Sequence, residues 1–263
     1  RQRVGWVRSN EVDLVLDASG YAYGDPWGGE LAKSRILREI RNKKCVLLPQ
    51  SFGPFTQRET KSVIRSIMAS GHLVFAREAE GARAIHEATG CDVDVVPDIT
   101  FCHHVLPDSE ARDVLVIPNF QVLRRFGDGY VDALHSISRI LMQKGREITF
   151  LIHEGEKDER IASEVIRRLG DIAGGKVKLL LATSGAHAKG VIGNSRFVVS
   201  SRYHGLISAL SQHVPAVALG WSVKYDAAMD LFGLGSFGAT GLAATERDAV
   251  VEPSFGHAAV AGA

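Results

Sequence analysis

Cysteine is scarce in this chain. Cys45, Cys91 and Cys102 are the only 3 among 263 residues. Their spacing suits neither a disulfide framework nor a zinc site, so free thiols in a cytoplasmic setting are expected. A dominant charge is also lacking: 31 Lys and Arg stand against 30 Asp and Glu, a formal net charge of +1. That balance excludes nucleic acid as the main partner and leaves local basic clusters free to hold a small anion. No apolar run approaches the roughly 20 residues of a membrane-spanning helix. The first residues do not read as a secretory signal. Hydrophobic residues at 45% and charged residues at 23% are ordinary for a globular protein. The length suffices for one large or two small domains, each with its own core.

Short apolar runs recur along the whole sequence. They are Val12 to Leu16, Cys45 to Leu48, Leu73 to Ala76, Val93 to Val96, Val114 to Ile117, Ile148 to Ile152, Val177 to Leu181, Phe197 to Ser200 and Pro215 to Leu219. Between most of them lie stretches with helical spacing. Ile137, Ile140 and Leu141 precede Gly145, and Ile161, Val165, Ile166 and Leu169 precede Gly170. Glycine there is a helix stop. Strands alternating with helices predict crossover units and parallel sheets, and runs apolar on both faces predict sheets covered on both sides. The polar, Pro-containing segment 103–113 separates two such series. The expected division is an N-terminal Rossmann-like domain over residues 1–106 and a C-terminal one over 107–263.

The most informative stretch is Ser200-Ser201-Arg202-Tyr203-His204-Gly205. An apolar strand precedes it and an Ala- and Leu-rich helix follows, so Arg-x-His-Gly falls on a strand-to-helix turn. Free amides at a helix start attract anions, and Gly205 is read as letting a ligand approach the backbone. Lys224 follows a second apolar strand that ends at Leu219. Arg202, His204 and Lys224 then gather at strand ends, where open parallel sheets bind ligands. The set suits a substrate carrying phosphate and carboxylate.

Earlier in the chain, Arg77 follows the strand Leu73 to Ala76. It reads either as an ion pair with Glu78 or Glu80 or as a bidentate clamp on an anionic substrate. Gln50, Ser51 and Gly53 follow another strand. They either turn the chain or hydrogen-bond a sugar or phosphate. Asp98 either caps a turn or lines a substrate site. Asp17 and Asp25 are candidates on the acceptor side. Cys102-His103-His104 lacks a second ligand pair, and His153-Glu154-Gly155-Glu156 lacks the second His of a zinc helix, so no metal is expected.

These segments, in order, resemble the polysaccharide pyruvyl transferase family: Leu47-Leu48-Pro49-Gln50-Ser51-Phe52-Gly53-Pro54-Phe55, Phe75-Ala76-Arg77-Glu78, Val96-Pro97-Asp98-Ile99-Thr100-Phe101, and the block from Arg202-Tyr203-His204 to Lys224. The resemblance runs from about residue 12 to about residue 235. It implies two Rossmann-like α/β domains facing a cleft, as in GT-B glycosyltransferases. It also implies transfer of the enolpyruvyl group of phosphoenolpyruvate to a sugar of a cell-surface polysaccharide, leaving a pyruvate ketal. Arg77, His204 and Lys224 stand at the family's important basic positions, with Arg202, Gly205, Gln50, Ser51, Gly53 and Asp98 as binding candidates. His204 is the expected proton donor to the enol carbon and Lys224 the phosphate ligand. No cofactor is implied. The acceptor is a sugar or lipid-linked oligosaccharide, which allows peripheral association with a membrane. The family's Gly-rich opening turn is not found, so a shortened N-terminal domain is expected. The competing readings are a nucleotide-sugar glycosyltransferase and a non-catalytic glycan-binding remnant.

Overall fold

The first unit of the chain is built on a wholly parallel sheet: β1 (Leu14–Asp17), β2 (Lys44–Gln50), β3 (Leu73–Ala76) and β4 (Asp94–Val95), side by side in that order. The structure is a computed structural model that describes residues 11–28, 43–220, 223–230, 232 and 238–240. It separates into two compact units, Arg1–Cys102 and His103–Ala263.

In the first unit, α1 (Arg58–Ala69) buries Thr60, Val63, Ile64 and Ile67. That spacing places them on one face of the helix. Helix α2 (Ala79–Thr89) buries Gly81, Ile85 and Ala88 and stops at Gly90, whose φ is 75°. Both helices pack on Leu47, Val74 and Ala76 of the sheet. Asp25 fastens the start of α1: one carboxylate oxygen accepts from Thr56 N at 2.8 Å, and the other accepts from Thr60 Oγ1 at 2.5 Å. Burial alone would push the Asp25 carboxyl up, but these hydrogen bonds outweigh it and bring it down to about 2. The sequence-based reading of Asp25 as an acceptor-side residue is thereby corrected, because its oxygens are spent on the helix start.

The second unit holds β5 (Arg112–Ile117), β6 (Ile148–Ile152), β7 (Val177–Leu181), β8 (Ser195–Ser200), β9 (Ala216–Gly220) and β10 (Gly238–Thr240). Their order is β10-β9-β8-β5-β6-β7, and every pair is parallel. The helices between them are α3 (Phe120–Phe126), α4 (Asp128–Gln143), α5 (Glu156–Leu169), α6 (Gly185–Gly193), α7 (Tyr203–Leu210) and α8 (Val223–Asp230). The chain leaves β5 toward β6 and β7, then returns to lay β8 on the other side of β5. That reversal is the topological switch point of a doubly wound Rossmann-like sheet.

The sheet has a core on each face. Val114, Val116, Phe150 and Val199 pack with Leu134, Ile161 and Val165. Leu115, Ile117, Leu151 and Val198 pack on the opposite side with Val191, Ile192 and Ala209. Each fully buried aliphatic or Phe side chain of this kind contributes about 1.5–3 kcal/mol. Coverage on both faces fits β6, all of whose residues are buried. It does not fit β1, where Leu14 is 50% and Leu16 59% exposed, because β1 ends the described sheet and packs on one side only. Strand β10 was not foreseen, since Gly238-Ala239-Thr240 carries no apolar run. Among the described residues no helix is long and apolar enough to cross a membrane.

Candidate functional site

The switch point is held by a hydrogen-bond network around Ser201. Its main-chain oxygen accepts from Asn119 Nδ2 and from Tyr225 OH, each at 2.9 Å. Its hydroxyl accepts from Tyr130 OH at 2.7 Å, and Tyr130 OH in turn accepts from Asn119 N at 3.0 Å. Burial pushes the phenols of Tyr130 and Tyr225 up, the latter to about 12, so both are neutral donors here. These bonds tie the ends of β5 and β8 and the first turn of α8 to one peptide. Asn119, Tyr130 and Tyr225 were missed from the sequence. The one available signal was an Asn just after a strand and before a helix, and its partners lie far away along the chain.

Arg202 follows at the start of α7 in extended conformation. Its guanidinium donates from Nε to Asp158 Oδ2 at 2.7 Å, lies 2.5 Å from the same oxygen through Nη2, and pairs with Glu154. Asp158 is wholly buried, and its other oxygen accepts from Phe120 N at 2.9 Å. Arg202 therefore orders the turn through carboxylates of the protein.

His204 stands next, exposed on the first turn of α7, with Tyr203 edge-on to its ring at 5.5 Å between centroids. His153, at the end of β6, belongs to the same cluster. Burial first, then the positive charges of Arg202 and His204, bring its imidazole down to about 4. His153 is therefore neutral at neutral pH. The backbone of Lys224 lies in the first turn of α8, but its side chain is outside the described residues.

A Cβ at Gly205 would lie 2.6 Å from Ser200 Oγ and 2.9 Å from Ile117 Cδ1. The missing side chain lets α7 sit close against the sheet, because a Cβ there would point inward to the core. At Gly53 φ is +81°, and a Cβ would meet Ala84 Cβ at 2.8 Å.

In the first unit, Arg77 lies at the carboxyl end of β3 and is only 6% exposed. It donates to Asp98 Oδ2 at 2.7 Å, to Ser51 Oγ at 2.6 Å and to Glu78 Oε2 at 3.4 Å. Arg77 thus makes the ion pair with Glu78 that the sequence offered as one alternative, and a second with Asp98. Asp98 also accepts from Thr100 N at 2.9 Å, so it fastens the short turn Ile99–Cys102. Burial alone would push the Asp98 carboxyl up, but the bonds from Thr100 and Arg77 hold it below the usual range. Gln50 ends β2, and its main-chain oxygen accepts from Arg77 N at 3.0 Å. Its side-chain amide is buried and has no hydrogen-bond partner among the described residues. Among the described residues no cluster of three or more His, Cys, Asp or Glu side chains is arranged to hold a metal.

The model of a family described as polysaccharide pyruvyl transferase matches residues 4–223. No curated protein matches the chain. Among solved structures, a putative UDP-N-acetylglucosamine 2-epimerase from Listeria monocytogenes superposes with a TM-score of 0.54 at 12% identity, over 80% of this chain and 57% of its own. The UDP-GlcNAc 2-epimerase of Methanocaldococcus jannaschii gives 0.50 at 12% identity, over 80% of this chain and 60% of its own. A glycosylation-associated protein complex from Streptococcus agalactiae gives 0.51 at 10% identity, over 89% of this chain and 45% of its own. The chain thus spans less than two thirds of each of these relatives. At such identity the likeness shows the α/β, GT-B-like fold alone.

Proposed function

The chain belongs to the polysaccharide pyruvyl transferase family, and we propose that it moves the enolpyruvyl group of phosphoenolpyruvate onto a saccharide to form a pyruvate ketal. The observation that carries the reading is the place of His204. It is exposed on the first helical turn beyond β8, at the switch point of a doubly wound sheet. Ligands of such sheets bind at that point.

In the proposed reaction, His204 gives a proton to the methylene carbon of the enol, and the neighbouring carbon becomes cationic. A sugar hydroxyl attacks that carbon and releases its proton. Phosphate leaves with the bonding electron pair, and a second hydroxyl closes the ring with loss of its own proton. His204 suits the first step because an imidazolium is a competent acid near neutral pH. Lys224 is the proposed ligand of the departing phosphate. Arg202 is the proposed positioning residue: its ion pairs with Asp158 and Glu154 fix the turn that carries His204.

The test is calorimetric titration of the full chain with phosphoenolpyruvate, followed by assay of phosphate release in the presence of a saccharide. Binding and turnover that depend on His204 are expected. Binding of a nucleotide sugar with no response to phosphoenolpyruvate would replace this reading by that of a glycosyltransferase.

A further inference from the structure

We infer that His153 takes the proton of the attacking saccharide hydroxyl, as the base that complements the proton donor His204. The role given to this imidazole rests on the pyruvyl-transfer reading; its place in the cluster rests on the fold of the second unit.

His153 comes directly after β6, and His204 lies in the first turn of α7, just beyond β8. Strands β6 and β8 are the two neighbours of β5. Two strand spacings set them roughly 10 Å apart, which leaves room for a three-carbon donor at the end of β5. Arg202 ties the two loops together. Its guanidinium pairs with Glu154, the residue after His153, and with Asp158 in the first turn of α5. Asp158 in turn holds the Phe120 amide beyond β5. The carboxylates of this cluster are thus engaged by the protein, and Lys157 stands over the Phe120 ring, 4.8 Å from its centroid. His153 differs. It is partly exposed, and its ring has no hydrogen-bond partner among the described residues.

Burial, then the charges of Arg202 and His204, keep the His153 ring unprotonated against the opposing pull of Glu154. A free nitrogen lone pair is therefore present at neutral pH. A weak base suffices for this step. A hydroxyl that adds to a cationic carbon becomes an oxonium, a far stronger acid than an alcohol. The protons then balance over the whole reaction. His204 gives its proton to the methylene carbon, and the double-bond electron pair forms the new C–H bond. The hydroxyl oxygen bonds to the cationic carbon, and its proton passes to His153. The bond from that carbon to the phosphate oxygen breaks, phosphate keeps the electron pair, and His153 returns the proton to it. The second hydroxyl closes the ring and gives its proton to His204, which restores the donor.

The experiment uses the full chain and its His153→Gln and His153→Ala variants. Phosphate release from phosphoenolpyruvate is measured across a pH series, with the methyl β-glycosides of glucose, galactose and mannose as acceptors. Phosphoenolpyruvate binding is followed by calorimetry and folding by thermal melting. Turnover lower by about a hundredfold is expected in both variants, with unchanged phosphoenolpyruvate affinity. The acid limb of the parent's kcat profile, which reports the base of the loaded enzyme, should be absent from His153→Gln. Added imidazole should restore turnover to His153→Ala. Near-normal turnover in either variant overturns the inference, and so does an acid limb that His153→Gln keeps. Weaker phosphoenolpyruvate binding at unchanged kcat overturns it by making His153 a ligand of the donor. Lower melting with turnover that imidazole does not restore overturns it by making the ring part of the fold. A parent that releases no phosphate removes the proposed function and this inference together, whereas normal variants beside an active parent remove this inference alone.

Discussion

Arg202 Nε lies 2.7 Å from Oδ2 of Asp158, a carboxylate with no exposed surface. The two residues are 44 positions apart, and their pairing fixes the turn from which His204 projects. Burial pushes the Asp158 carboxyl up, while Arg202 and the Phe120 amide draw it back. Removing Arg202 leaves that carboxylate buried without its cation. Arg202→Ala should therefore lose about 3–5 kcal/mol of stability, the usual cost of breaking a buried pair from one side. Urea denaturation measures it. A loss below about 1 kcal/mol, typical of an exposed pair, would remove Arg202 from its positioning role.

His204 is exposed, so its removal should spare the fold. His204→Ala is expected to lower turnover on the order of a hundredfold or more, as for loss of a general acid. Steady-state rates at saturating phosphoenolpyruvate give the answer, with thermal melting as the control. Near-normal turnover assigns the proton to another group.

Arg77→Ala should act first on stability, because it takes the guanidinium from between the buried Asp98 and Glu78 side chains. The expected loss is about 3–5 kcal/mol. Variant protein that remains folded should bind phosphoenolpyruvate nearly as the parent does. A loss of donor affinity with intact stability would restore the clamp that the sequence suggested.

At Gly205 the added methyl group of Gly205→Ala meets Ser200 Oγ and Ile117 Cδ1. Overpacking of this kind costs about 1–3 kcal/mol. It should also lower turnover, since α7 must lift from the sheet with His204 on it. Unchanged melting and turnover together would refute the packing reason for this glycine.

Acid should destabilise the protein in two windows. His153 has its folded value near 4 and its ordinary value at 6.5. The unfolded chain binds the extra proton between those values, so stability is full above pH 6.5 and falls as pH drops toward 4. The loss is at most about 3 kcal/mol. Asp25, near 2 against an ordinary 3.8, adds a smaller loss as pH falls from 4 toward 2. His153→Asn should flatten the first window in urea titrations between pH 7 and 4. A curve as steep as that of the parent rules out His153 as its source.

The sequence by itself determined the strands. Buried parallel strands need unbroken apolar runs, and nine of those runs coincide with β1 to β9 within a few residues. The Gly stop after Ile161, Val165 and Leu169 likewise marks the end of α5. The Arg202-Tyr203-His204 turn was legible for the same reason, because a strand ending in polar residues before an Ala- and Leu-rich helix has few other conformations. The pairing of residues far apart in the chain was decided only by the tertiary structure. Ser201 with Asn119, Arg202 with Asp158, and Arg77 with Asp98 leave no periodic trace, since each bond depends on which strand ends the crossovers bring side by side. The same limit hid the packing around Gly53 and Gly205. Whether a missing Cβ faces a ligand or the core depends on what packs against it, and close packing is a property of the folded chain.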